Sequence, residues 1–99
     1  PELDYLKKLL VKMTDEYEKV TSAVLETEDN EFVDFHARRM VEMAGNIMMG
    51  YLLLHDAVRE DEFSSDAEIF IKQVRAENAQ RAAYIKSSDI KDLGVFRYV

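Results

Sequence analysis

The stretch from Val33 to Val58, VDFHARRMVEMAGNIMMGYLLLHDAV, decides the fold of this chain. It contains a first apolar seam whose members follow alternating steps of four and three residues: Val33, Ala37, Met40, Ala44, Ile47, Tyr51, Leu54 and Val58. This spacing places them along one side of an α-helix. A second stripe lies beside the first seam: Phe32, His36, Met43, Gly50, Leu53 and Ala57. Two adjacent apolar stripes need more than one neighbour to cover them, so we expect this helix to be the centre of a small bundle.

The size and composition of the chain are those of one domain with long regular elements. The sequence has 99 residues, of which 47% are hydrophobic and 33% are charged. This balance is enough for one apolar core with a solvated exterior. One proline and three glycines leave little room for loops. We therefore expect a single domain over residues 1–99.

The net charge of −7 argues against two classes of partner. The 20 acidic side chains outnumber the 13 basic ones. Phosphate contacts need a concentrated basic surface, so we expect no binding to nucleic acid. The same acidic excess disfavours anionic membrane surfaces.

Cysteine content and hydropathy bear on the location of the protein. The sequence has no cysteine, which excludes disulfides and thiolate chemistry and suits a reducing cytoplasm. The longest apolar run, residues 47–54, is interrupted by Gly50 and is far shorter than the roughly 20 residues of a membrane span. The first residues do not have the pattern of a secretory signal peptide. We expect a cytoplasmic location, and the start at Pro1 favours a fragment of a longer protein over removal of an initiator methionine.

Three long helices are predicted, at residues 2–25, 31–60 and 66–86. The first has a seam of its own: Leu3, Leu6, Leu10, Met13, Tyr17, Val20 and Val24. Asp29 or Asn30 can cap the second helix by accepting from its free N–H groups. Ser65 and Glu68 have the spacing of a capping box for the third. Short connections between long helices predict an all-α, up-down-up antiparallel bundle, followed by an apolar tail at residues 87–99.

Four small or polar residues stand at positions that we expect to face other helices. Gly45 and Gly50 lie inside the second helix, where glycine costs about 1 kcal/mol relative to alanine. Close approach of a neighbouring backbone would compensate, and Ala44 belongs to the same small-residue centre. Asn78 lies in the seam of the third helix, where it is either partly exposed or bonded across the bundle.

No motif in the sequence predicts a metal site or a catalytic group. A di-iron bundle needs Glu-x-x-His motifs, but Val33 and Leu52 stand three residues before His36 and His55. The two histidines are about 28 Å apart along one helix, so they cannot share a metal ion. His36 is interpreted as a histidine at the end of the bundle that is bonded to a loop carbonyl. We predict no catalytic, cofactor-binding or metal-ligating residue in this chain.

Two surface features admit a binding interpretation. The arginines Arg38, Arg39, Arg75 and Arg81 could bind phosphate, although Arg38 and Glu42 also have the spacing of an ordinary surface pair. Met48 and Met49 are adjacent, so they cannot both face the same neighbour. The middle of the second helix is therefore apolar on nearly all sides, which indicates that a partner covers it.

Two segments resemble the C-terminal helical domain of bacterial acyl-CoA dehydrogenases, the acetyl-CoA dehydrogenase C-terminal-like domain. They are ARRMVEMAGNIMMGYLLLHDAV, residues 37–58, and IFIKQVRAENAQRAAYI, residues 69–85. In that domain the second helix has a glycine-containing centre followed by an aromatic residue and a leucine run, here residues 44–54. Its third helix is alanine-rich with an aromatic residue near the end, here residues 79–84. The resemblance covers most of residues 1–86.

The resemblance implies an oxidoreductase as the parent protein. Such enzymes are flavoproteins that use FAD to oxidise acyl-CoA thioesters between Cα and Cβ, a step of fatty acid metabolism. Their catalytic glutamate and FAD-binding residues belong to the preceding core domains, and no segment of this chain matches those motifs. The chain would then contain no FAD itself and would pack on the core domains or at a subunit interface of a homo-oligomer.

Three hypotheses follow from the sequence. The first is a non-catalytic C-terminal domain of an FAD-dependent acyl-CoA dehydrogenase. The alternative is a free-standing helical module for protein–protein interaction or self-association. The third, chemistry within these residues, has no motif in its favour.

Overall fold

The computed structural model describes residues 2–88, with the backbone alone for Glu2. It contains three long helices: α1 at Glu2–Glu26, α2 at Asn30–Arg59 and α3 at Ser64–Ser87. A short 3-10 turn at Asp61–Phe63 joins α2 to α3. The prediction of an all-α bundle is confirmed. Apart from Ser87 and Ser88, the predicted tail lies outside the described residues.

The core consists of two apolar clusters, one toward each end of the bundle. The first joins the beginning of α1, the end of α2 and the beginning of α3: Leu6, Leu10, Met13, Ile47, Leu54, Ala57, Ala67, Ile71 and Val74. The second joins the opposite ends of the same helices: Val20, Val24, Phe32, Met40, Met43, Ala82 and Ile85. Consecutive helices are therefore antiparallel, as the up-down-up arrangement predicts.

The buried face of α2 differs from the predicted first seam. It consists of Phe32, His36, Met40, Met43, Ile47, Gly50, Leu54 and Ala57. Most of these belong to the second stripe, whereas Tyr51 and Val58 of the first seam are exposed. Because α2 contacts both α1 and α3, its buried face is centred between the two stripes. The first seam therefore forms only one border of the core.

The two glycines of α2 have opposite environments. A Cβ atom at Gly50 would lie 2.7 Å from Cδ2 of Leu10 and 3.6 Å from Cγ1 of Ile71. Close helix contact is thus confirmed at Gly50, although the neighbouring atoms belong to side chains and not to the backbone that was expected. A Cβ atom at Gly45 would have nothing within 4 Å, because Gly45 faces outward. The prediction of close contact at Gly45 is wrong within this bundle.

The helix starts were predicted with mixed success. Oδ1 of Asp29 accepts from the backbone N–H groups of Glu31 and Phe32 at 3.0 and 3.1 Å, which confirms the cap of α2. The capping box at Ser65 and Glu68 is wrong. The 3-10 turn leads directly into α3, whose first residue is Ser64, so Ser65 is already helical and Glu68 bonds Lys72 instead.

Within residues 2–88, no helix has both the length and the hydropathy to cross a membrane.

Candidate functional site

The most buried polar contact between helices is made by Asn78 of α3. Asn78 is buried, and its Nδ2 donates to the backbone carbonyl of Met43 at 3.2 Å. Its Oδ1 accepts from Nδ2 of Asn46 at 3.0 Å. Of the two alternatives that the sequence left open, the bond across the bundle is therefore present. A buried amide with both ends bonded fixes how α3 sits along α2 and presents no reactive group outward.

A charged network covers one side of the α2–α3 contact. Glu42 accepts from Arg38 at 3.1 Å and lies 2.8 Å from Nη2 of Arg81. Arg81 also lies 3.5 Å from Glu77. The hydrogen bonds from Arg38 and then Arg81 lower the pKa of the Glu42 carboxyl below its ordinary value. Glu42 is therefore ionised at neutral pH and holds both arginines.

The four arginines considered for phosphate binding do not come together. Arg39 and Arg81 line one groove of about 340 Å³ with Glu77, Gln80 and Tyr84. Arg75 lines a different groove of about 290 Å³, between α1 and α3. Arg38 is paired with Glu42, which confirms the ordinary surface pair. The carboxylates beside Arg81 offset its charge, so these four arginines form no concentrated cationic site.

His36 lies inside an aromatic cluster at the α2–α3 contact. Its ring is fully buried and makes edge contacts with Phe32, Phe35 and Tyr84, at centroid distances of 4.8, 4.9 and 6.0 Å. The guanidinium of Arg39 lies 4.4 Å from the centre of the Tyr84 ring and closes the cluster toward solvent. This arrangement packs the histidine among aromatic rings. The predicted bond to a loop carbonyl stays a prediction.

The described residues hold no group of three or more His, Asp or Glu side chains that could bind a metal ion. Three of their serines are engaged locally. Ser64 donates to Asp61, and the hydroxyls of Ser87 and Ser88 both donate to the carbonyl of Tyr84. These bonds complete turns and helix ends.

An exposed apolar stripe runs along the side of α2 that faces away from α1 and α3. We call it the outer face of α2, and it consists of Val41, Gly45, Met48 and Leu52. The three side chains are 70%, 66% and 59% exposed, and Met49 beside them is exposed as well. The prediction that α2 is apolar on nearly all sides at its middle is thus confirmed. Val41 and Leu52 were not singled out from the sequence, although the steps of four, three and four residues carried the signal.

FAD does not fit the glycines of α2 or the groove at Arg39 and Arg81. Its pyrophosphate needs free backbone N–H groups at a glycine-rich turn, or unneutralised cations. Gly45 and Gly50 lie inside α2, where their N–H groups belong to the helix, and Arg81 is held by two carboxylates. No catalytic step through a flavin can therefore be derived from this part of the chain.

Comparison with known proteins gives the family. The sequence model of the family described as "Acyl-CoA dehydrogenase C terminal" matches residues 1–93. This chain belongs to that acyl-CoA dehydrogenase C-terminal family. The resemblance seen in the sequence is therefore confirmed, and the bundle is the fold of an acyl-CoA dehydrogenase C-terminal domain.

A solved structure supports the assignment. The acyl-CoA dehydrogenase family protein from Porphyromonas gingivalis is 36% identical and superimposes with a TM-score of 0.84. The match covers 90% of this chain and 77% of the other, so the bundle accounts for most of that solved chain. No curated protein matches the sequence.

Proposed function

We propose that this acyl-CoA dehydrogenase C-terminal domain is a non-catalytic unit that packs on the core domains, or between subunits, of an FAD-dependent enzyme. The observation that carries the proposal is the outer face of α2. Three large apolar side chains stand exposed on it, whereas the buried polar groups Asn78 and His36 are used inside the bundle. An exposed apolar stripe rimmed by charges is typical of a packing surface.

In this proposal the core domains and the helical unit have different roles in the enzyme. The preceding core domains would bind FAD and the acyl-CoA thioester, because neither the glycines of α2 nor the groove at Arg39 and Arg81 fits a flavin. The helical unit would contribute stability and shape to the assembly. The cytoplasm is the proposed location, since a chain without cysteine suits a reducing compartment.

The test has two parts. The reading frame upstream of Pro1 should encode an acyl-CoA dehydrogenase core, and a start codon immediately before Pro1 would remove the first hypothesis. The purified 99-residue chain should also bind no FAD in equilibrium dialysis. One bound flavin per chain, with its visible absorbance, would contradict a non-catalytic role.

A free-standing interaction module is the second candidate, because the outer face of α2 would serve equally well on an independent protein. The reading frame separates the two candidates. An independent module would have no core domain encoded in frame, and it would associate without any flavoprotein present.

A further inference from the structure

The outer face of α2 continues at both ends into charged positions. Asp34 lies seven residues before Val41, and Arg59 lies seven residues after Leu52. Both are exposed, and neither forms an ion pair with another residue of the 2–88 range. The acidic position stands near the start of α2 and the basic position at its last turn.

The complete stripe is symmetric about the midpoint between Asn46 and Ile47. Its six positions are Asp34, Val41, Gly45, Met48, Leu52 and Arg59, with steps of seven, four, three, four and seven residues. The same steps are found when the helix is read in the opposite direction. An antiparallel copy of α2 would therefore present a matching set of positions.

We propose that the outer face of α2 is the interface for a second copy of this chain, with the two α2 helices antiparallel about that midpoint. In this register Val41 of one copy opposes Leu52 of the other, and Met48 opposes Gly45. The missing side chain at Gly45 provides a hole that the Met48 side chain of the second copy fills. This inference rests on the proposed packing function and names its partner.

Charge complementarity indicates that the partner on the outer face of α2 is a second copy of this chain. Asp34 of each copy opposes Arg59 of the other, so every interface contains two opposite-charge pairs. A parallel arrangement would instead set Asp34 against Asp34 and Arg59 against Arg59. Antiparallel helices also bring each positive N-terminus beside a negative C-terminus. The contact is isologous, so it closes as a two-fold dimer.

The role assigned to Gly45 accounts for a residue that the isolated bundle does not explain. Nothing in the bundle approaches Gly45, yet glycine inside a helix costs about 1 kcal/mol relative to alanine. In the proposed dimer, the Met48 side chain of the second copy packs into the space beside Gly45.

The test is sedimentation equilibrium of the 99-residue chain, up to about 1 mM, where even weak complexes with Kd near 1 mM form. The wild type should show a monomer–dimer equilibrium. Asp34→Arg and Arg59→Asp should each weaken the dimer about tenfold, because each places like charges opposite one another. An equimolar mixture of the two variants should recover wild-type association, because each mixed pair again opposes Asp and Arg.

A matched pair of variants separates this interface from other surfaces. Met48→Glu should abolish the dimer. Ile69→Glu, at an α3 position with the same 66% exposure, should leave it unchanged. Circular dichroism checks that each variant remains helical. A monomeric wild type at about 1 mM, or equal effects of the two variants, would overturn the interface. A Met48→Glu effect without recovery in the charge-swapped mixture would overturn the antiparallel register.

An experiment can refute the dimer interface without refuting the proposed packing function. If the isolated wild-type chain is monomeric while Met48→Glu still disrupts the full-length enzyme, the outer face packs on the core and not on a second copy. In that case self-pairing is refuted and the packing function is retained.

Discussion

At the scale of single residues, the two glycines of α2 occupy opposite environments, one inside the bundle and one on its surface. Gly50 is buried and lets Leu10 and Ile71 approach α2, whereas Gly45 is exposed and touches nothing in its own bundle. Periodicity predicted that both lie in a helix. It also placed Gly50, but not Gly45, in an apolar stripe, whereas the side chains that contact Gly50 could be identified only from the packed bundle.

Gly50→Ala and Gly45→Ala form a matched pair of stability predictions. Each should gain about 1 kcal/mol of helix propensity. At Gly50 the added methyl group would meet the fully buried Leu10 side chain, and such overpacking costs about 1–3 kcal/mol. Urea unfolding under monomeric conditions should therefore find Gly50→Ala less stable than Gly45→Ala by about 1–3 kcal/mol. Equal free energies of unfolding would show that Gly50 is not a point of close contact.

Asn78 should be the polar residue whose removal destabilises the bundle most. Asn78→Ala removes two hydrogen bonds and leaves a cavity, at an expected cost of about 2–3 kcal/mol. Asn46→Ala is the control, because Asn46 is half-buried and loses one bond, at about 1 kcal/mol. Thermal or urea unfolding measures both. A smaller loss for Asn78→Ala than for Asn46→Ala would contradict its role in fixing α3 on α2.

At the scale of elements, sequence patterns predicted where helices form better than how they begin and which face is buried. Of the two predicted caps, Asp29 is the one used, because Asn30 is already the first helical residue and Oδ1 of Asp29 accepts from Glu31 and Phe32. Ser65 had the same kind of signal and failed, since the preceding 3-10 turn already continued into α3. The two stripes of α2 correctly predicted more than one neighbour, but only the side between them is buried, so Tyr51 and Val58 of the first seam are exposed.

The contact between α2 and α3 should depend on pH through Glu42. Its folded-state pKa lies below the ordinary value of 4.5, so ionised Glu42 stabilises the fold above the unfolded pKa. That contribution is lost as the pH falls through the folded pKa. The difference in free energy of unfolding between wild type and Glu42→Gln should thus be present at pH 7 and shrink below about pH 4.5. A difference that does not vary with pH would assign the effect to packing.

At the scale of the whole molecule, the sequence predicted a packing unit, and the structure adds the outer face of α2 and its symmetry. His36 packs among aromatic rings inside the bundle, and the four arginines do not come together in one site. What the sequence could not provide was the direction in which Val41, Met48 and Leu52 point. Only the packing of α1 and α3 on the opposite side leaves these residues exposed.

The central claim is that this region supports assembly and leaves flavin chemistry to the core. Sedimentation velocity of the proposed full-length enzyme, followed at the visible absorbance of the flavin that we expect it to bind, reports assembly and flavin retention at once. We predict that Met48→Glu retains its flavin but sediments as a smaller species than wild type, while Ile69→Glu sediments as wild type. Loss of flavin at unchanged mass, or no change in either property, would contradict the account.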